Sequence, residues 1–202
     1  MRTLKDDKYK SILDAARKEF INKGFKNASM RSIAKYADVS LSNIYNYFLN
    51  KDEIFLVIVK PAKDNIFSFV AEQHMEKHID INRISNFDYQ EKVIELFIQL
   101  LEKYKEELCL LLYHSEGSSM RNFRDILTDH LTTVNNDHMV LIKKHYPHAH
   151  DISPFFIHTL SAFMVSIVGE IITHDLSKEK TQDFFREYFK FEIAGWRELI
   201  GL

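Results

Sequence analysis

Apolar side chains recur along this chain at the spacing of an α-helix, and little interrupts them. Between Asp6 and Asn22, Tyr9, Leu13, Ala16 and Phe20 fall on one narrow stripe, while Lys and Asp fill much of the rest. The whole chain of 202 residues has 5 Gly and 3 Pro. Sandwiches and barrels need turn residues far more often than that. No convincing alternating strand, internal repeat or low-complexity tract is found, so the expected fold class is all-α. Long helices are expected near 89–104, 105–114, 122–146, 154–174 and 178–200. Another runs from 52 towards 75, and Pro61 should kink or break it.

The first fifty residues read as shorter pieces. Gly24 suits a left-handed helix cap. Ser29 reads as the N-cap of a second helix holding Ile33 and Ala34, and Ser40 as the N-cap of a third that runs to about Phe48. Asp38 between them can make a tight turn, because Asp tolerates positive φ. Asn50 followed by Glu53 resembles a capping box that opens the fourth helix. Further along, Ser153-Pro154 and Ser177 mark two more helix starts.

Composition narrows the function classes. Hydrophobic residues make up 46% and charged residues 28%, which excludes wholesale disorder. One Cys excludes a disulfide framework and a Cys-based zinc finger. The first residues, with Asp6 and Asp7 behind Met1, lack the apolar core of a signal peptide. The greasiest stretch, Phe155 to Ile172, carries His158, Ser161, Ser166 and Glu170, and reads as a buried helix in preference to a membrane span. A soluble, cytoplasmic protein with no membrane partner is expected. Net charge is -2, but residues 1–53 hold 11 Lys and Arg against 7 Asp and Glu, a balance of +4. The remainder holds 16 against 22, a balance of -6. A basic front on an acidic body suits a polyanionic partner for the first part.

The third helix carries the functional signal. With Ile44 facing inward, Leu41 and Phe48 fall beside it. Ser42, Asn43, Tyr45 and Asn46 then form the outer arc, with Tyr47 at its border. That face has no carboxylate to be repelled by phosphate. Asn can pair with base edges, and Ser and Tyr can donate to phosphate oxygens. A short helix, a tight turn and a second, exposed polar helix make a helix-turn-helix.

The segment GFKNASMRSIAKYADVSLSNIYNYFLNKDEIF, Gly24 to Phe55, resembles the DNA-binding domain of TetR-family transcriptional regulators. The resemblance covers roughly residues 8–60. Its specific elements are Gly24-Phe25, the SIA of the second helix, VS at the turn, and Ile44-Tyr45 to Tyr47-Phe48 followed by Lys51. The family usually has Gly where this chain has Asp38. The resemblance implies phosphate contacts from Tyr45, Tyr47 and Lys51. It implies backbone contacts from Ser29 and Arg31, and base reading from Ser40, Ser42, Asn43 and Asn46. Positive charges near the helix are few, so two modules are needed to sum phosphate contacts.

For the body, the last two long helices are apolar over too wide an arc for a single core. Gly169 and Gly195 sit inside them, where close helix approach would explain a residue that costs about 1 kcal/mol relative to Ala. A homodimer interface through Phe163, Ile167, Gly169, Phe189, Gly195 and Trp196 is expected, and the family likewise dimerises through its last two helices. The resemblance also implies a ligand pocket among the middle helices. Candidates to line it are Phe67, Phe97, Tyr104, His114, Leu127, His130, Val134 and His138. His130 and His138 lie about 12 Å apart along one helix, too far for one metal ion without other ligands. The cluster His145, His148, His150 and Asp151 matches no specific zinc spacing. No metal and no cofactor are expected. Catalysis is not expected either: Cys109 sits between leucines, and there is no Gly-rich phosphate loop, HExxH or nucleophile elbow.

Taken together, the expected organisation is a three-helix helix-turn-helix DNA-binding domain over 1–51 and a larger helical ligand-binding and dimerisation domain over 52–202. The expected function is a ligand-responsive regulator acting as a repressor. It would bind a pseudo-palindromic double-stranded DNA operator as a homodimer and be released by an unknown small-molecule effector. The alternative is an all-helical DNA-binding adaptor or architectural protein without an effector.

Overall fold

The computed structural model describes residues 4–75, 79, 80, 83, 85–174 and 176–201. Among the described residues the chain is built from helices and contains no strand. In chain order they are α1 (Leu4–Asn27), α2 (Met30–Tyr36), α3 (Leu41–Tyr45), α4 (Lys51–Gln73), α5 (Phe87–Lys103), α6 (Lys105–Tyr113), α7 (Phe123–His145), α8 (Pro154–Thr173) and α9 (Lys178–Ile200). The long helices fall within a few residues of the expected bounds.

Local signals explain most ends. Ser40 Oγ accepts from the Asn43 N–H at 3.1 Å and caps α3. Asn50 Oδ1 accepts from the Glu53 N–H at 2.9 Å, and the Glu53 carboxylate reaches back to the Leu49 N–H. The reciprocal box is therefore present with its second bond moved back one residue. Pro154 occupies the first turn of α8, and Ser177 Oγ accepts from the Lys180 N–H.

Three local expectations change. Gly24 has φ 70 and ψ 167, an extended positive-φ conformation nearly confined to glycine, so it breaks α1 instead of capping it in the left-handed helical region. Ser29 stands at the N-cap of α2, yet its side chain makes no capping bond. The Glu19 carboxylate ties down the start of α2 instead, accepting from the Ser29 N–H at 3.2 Å and the Ser32 hydroxyl at 3.0 Å. α4 runs through Pro61 unbroken. Pro61 is exposed while Val59, Ala62 and Ile66 around it are buried, so burial of the flanking turns holds the helix together where one backbone bond is lost.

The chain divides by packing into two compact units. The first holds residues up to Asp64 together with Glu106–Phe123; the second holds Asn65–Lys105 and Arg124–Leu202. A division at 51/52 by function and this division by packing differ, because the first turns of α4 and α6 from Glu106 onward belong with the N-terminal helices.

In the first unit Phe20, Phe25 and Phe55 meet with ring centroids 5.1–5.8 Å apart. The inward stripe of α1 is Ile12, Ala15, Ala16 and Phe20, while Tyr9 stays at the edge and stacks on Phe48 at 5.2 Å. The segment that includes α6 clamps the end of α1. The Phe25 N–H donates to the His114 carbonyl at 2.9 Å, and Arg17 pairs with Glu106 and Glu107.

In the second unit α9 packs on α5, with Phe97 edge-on to Phe185 and a two-pronged ion pair from Arg186 to Glu91. α8 is long and apolar enough to cross a membrane by length and composition. Its Ile157, Ser161, Val165, Val168 and Ile172 are buried, as in the core helix of a globular domain.

Candidate functional site

The first unit holds a helix-turn-helix. α2 and α3 meet through Ile33, Ala34 and Ile44, all buried, and Phe48 closes the same core. Asp38 makes the turn at φ 53. The Val39 N–H donates to Ala34 O at 3.0 Å, and the Ser11 hydroxyl donates to Ala37 O at 3.0 Å. The turn is thus fixed by α1 as well as by its own backbone. α3 stops at Tyr45 rather than near Phe48, because the Tyr47 and Phe48 N–H groups both donate to Ile44 O and tighten the chain out of the helix.

The outward face matches the expected one in part. Ser29, Arg31, Ser40, Ser42, Tyr45 and Asn46 are exposed, and Asn43, Tyr47 and Lys51 are half-buried. Tyr47 leans on Tyr9 at 6.1 Å. Ser40 Oγ also bonds Ser42 Oγ at 3.0 Å, so Ser40 is chiefly a cap. The Asn43 Oδ1 is enclosed and has no hydrogen-bond partner among the described residues. An enclosed acceptor without a donor costs about 1–3 kcal/mol, and turning the amide outward would forfeit no bond.

Lys51 needs a correction. Its ammonium lies 2.6 Å from Phe25 O, 2.9 Å from Ala28 O and 3.4 Å from Lys26 O, and 4.4 Å from the Phe25 ring centroid. Three N–H donors meet three carbonyls, which leaves none for a phosphate. Burial lowers its pKa. Lys51 holds the end of α1 against the start of α4. Arg31 and Lys35, both on α2 of the helix-turn-helix, are exposed.

The second unit holds a cavity of about 300 Å³. Of the eight candidate lining residues, Phe97, Leu127 and His138 line it and the other five do not. His114 belongs to the first unit, against Gly24. Phe67 and His130 stack on each other at 4.2 Å away from the cavity, and His130 Nε2 is enclosed without a partner among the described residues. Tyr104 ends α5, and Val134 sits half-buried on α7, both off the lining. The wall uses another face of α4, with Phe69, Val70 and His74, and residues of α9 that had been assigned to an interface, Phe189 and Trp196. The 3.6-residue period says that a face is apolar. It does not say whether that face meets a neighbour or a void.

Polar groups in this wall form two clusters. His74 Nδ1 lies 2.7 Å from Val70 O, and Nε2 lies 2.8 Å from the Asn135 side-chain amide, which reaches Ser161 Oγ at 3.2 Å. Burial pushes the His74 pKa down. Asn135 Oδ1 faces the His74 ring, and Asn135 Nδ2 donates to Ser161 Oγ, whose hydroxyl in turn donates to Ile157 O. His138 Nδ1 approaches His74 O at 3.0 Å. The second cluster is on α9, where the Tyr188 hydroxyl donates to Glu192 Oε1. Burial raises the pKa of the Glu192 carboxyl. Among the described residues the lining includes neither Lys nor Arg.

Of the expected interface residues, Phe163 is 49% exposed, whereas Ile167 and Gly169 are buried within the chain. A Cβ placed on Gly195 would meet nothing within 4 Å. Phe155, Phe191 and Leu199 are also exposed along α8 and α9. Near the loop after α7, Lys143 pairs with Asp151, and the His150 N–H donates to Ile200 O at 2.9 Å, so this loop is tied to the end of α9.

The architecture is an all-helical protein with an N-terminal helix-turn-helix and a separate cavity-bearing unit. Residues 12–58 match the family described as bacterial regulatory proteins, tetR family. An uncharacterized HTH-type transcriptional regulator, YhgD of Bacillus subtilis (strain 168), is 32% identical over 96 residues, 48% of this chain and 46% of that protein. The fatty acid metabolism regulator protein of the same organism is 33% identical over 73 residues, 36% of this chain and 38% of its own length. The matched segments thus span less than half of either relative. A TetR-like transcriptional regulator from Rhodococcus sp. RHA1 shares the fold over 93% of this chain and 96% of its own, with a TM-score of 0.61 and 16% identity. The segment over residues 12–58 thus matches the tetR family of bacterial regulatory proteins, and the chain as a whole shares the fold of a TetR-like transcriptional regulator.

Proposed function

We propose that this regulator is a cytoplasmic, ligand-responsive repressor that binds a pseudo-palindromic operator as a homodimer and is released by a small molecule held in the cavity of the second unit. The observation that carries the reading is the pairing of two features in one chain. One is an exposed polar face on a helix-turn-helix; the other is a mainly apolar cavity in a separate unit. Ser42, Asn43 and Asn46 read base edges; Tyr45, Tyr47, Ser29 and Arg31 meet the backbone.

α4 joins the two functions along one helix. Its first half carries the buried Ile54, Phe55 and Val59 of the first unit, and its second half carries Phe69 and Val70 of the cavity wall. An effector that favours one placement of the two DNA-binding units and an operator that favours another then oppose each other by linkage. The same exposed apolar positions of α8 and α9, Phe163 and Phe191 among them, supply the dimer contact.

Gel shift and footprinting on the DNA upstream of its own gene test this. Tyr45→Phe should weaken binding to all sequences alike. Asn43→Ala and Asn46→Ala should relax preference at particular base pairs, by about 1–3 kcal/mol for a bidentate contact. Equal losses on specific and random DNA would remove the two asparagines from base reading. Binding that no metabolite pool releases would favour the architectural alternative.

A further inference from the structure

The cavity also carries information about the charge of what it holds. Its wall is mostly hydrocarbon and aromatic, including Phe69, Phe97, Phe185 and Trp196. An apolar ligand body is therefore required. The His74, Asn135 and Ser161 side chains are engaged with one another and with the Val70 and Ile157 carbonyls. Glu192 differs. Its carboxyl lines the cavity, takes one hydrogen bond from Tyr188, and has no Lys or Arg within ion-pair distance among the described residues.

A carboxyl in that setting is poorly stabilised as an anion, which is why burial lifts its pKa. A ligand bearing its own carboxylate would disfavour the ionised form of Glu192 further and would meet no Lys or Arg in the described lining. A ligand bearing a positive charge would supply the missing counter-ion, and the aromatic faces around it would add cation–π attraction. We infer that the cavity selects a lipophilic monocation, an amine or quaternary ammonium with an apolar body, and that Glu192 is the residue that selects its charge. This rests on the reading of the cavity as the effector site.

Trp196 is the single tryptophan of the chain and lines the cavity, so its fluorescence reports occupancy directly. The full-length protein is titrated, below micelle concentrations, with four probes of equal chain length: decylamine, decyltrimethylammonium, decanol and decanoate. The two cations should bind at least about tenfold more tightly than decanol, and decanoate more weakly than either. Glu192→Gln should bring the cations down to the level of decanol and leave decanol binding unchanged. Tyr188→Phe, which keeps the charge, should retain the preference for cations.

Tighter binding of decanoate, or cation affinity unaltered in Glu192→Gln while decanol still binds, overturns the charge assignment and leaves the effector site standing. If circular dichroism shows Glu192→Gln unfolded, the order of the four probes on the unmodified protein and on Tyr188→Phe decides alone. Absence of any fluorescence response to all four probes overturns the effector-site reading itself.

Discussion

Single residues in this protein do work that their type does not announce. Glu19 is buried in α1, and its carboxylate gathers Lys23, the Ser29 N–H and the Ser32 hydroxyl. Burial alone would raise its pKa, but those three hydrogen bonds and the charge of Lys23 outweigh burial and hold it below the ordinary value. Its stabilising contribution is therefore complete above the ordinary carboxylate range and fades as pH falls through the depressed value. Glu19→Gln should cost about 1–3 kcal/mol at neutral pH, and that difference should shrink below about pH 4. Urea unfolding of both proteins at several pH values measures it; a difference that stays constant on acidification would show that Glu19 acts by shape and not by charge. Lys51 teaches the same lesson from the other side. A lysine at the start of a helix after a recognition helix reads as a phosphate contact, but the carbonyls that capture it come from residues more than twenty positions away. No local pattern encodes that meeting.

At the scale of elements, what was legible was what depends on neighbours in sequence. The bounds of α5 to α9 follow from apolar period and caps, and the turn at Asp38 follows from a residue type that accepts positive φ. What was not legible depends on packing. The break at Gly24 is extended rather than left-handed because the chain must return to pair with His114. α4 survives Pro61 because its flanking turns are buried. Phe189 and Trp196 line a cavity because of how α9 sits in its own unit, which periodicity leaves open. The turn offers a direct test. Asp38 holds φ 53, a conformation that costs an L-residue free energy and costs Gly almost none. Asp38→Gly should stabilise the protein by about 0.5–1 kcal/mol, raising Tm by about 1–4 °C. A lowered Tm in differential scanning calorimetry would mean that the Asp38 side chain contributes a bond that outweighs the strain.

For the whole molecule, the decisive quantity is how many DNA-binding units act together. The first unit is only modestly basic, and Lys51 is spent on carbonyls, so one copy makes few phosphate contacts. Binding strength and its salt dependence rise with the number of phosphates engaged. In the proposed homodimer, two copies related by a two-fold axis would present two recognition faces to half-sites about 34 Å apart, and affinity would then depend on the contact that pairs them. In this chain Phe155, Phe163, Phe191 and Leu199 stand exposed on α8 and α9, and Gly195 leaves room beside them. Each aromatic removed from water by a partner contributes about 1.5–3 kcal/mol. On the proposed pairing, Phe163→Asp or Phe191→Asp should therefore sediment as a monomer where the unmodified protein sediments as a dimer, while circular dichroism stays unchanged, since both side chains are exposed in their own unit. Operator affinity should fall and its salt dependence should drop towards half, with the recognition helix untouched. If either variant sediments as the unmodified protein does, the pairing surface lies elsewhere, and the symmetry of the operator has to be derived from that other contact.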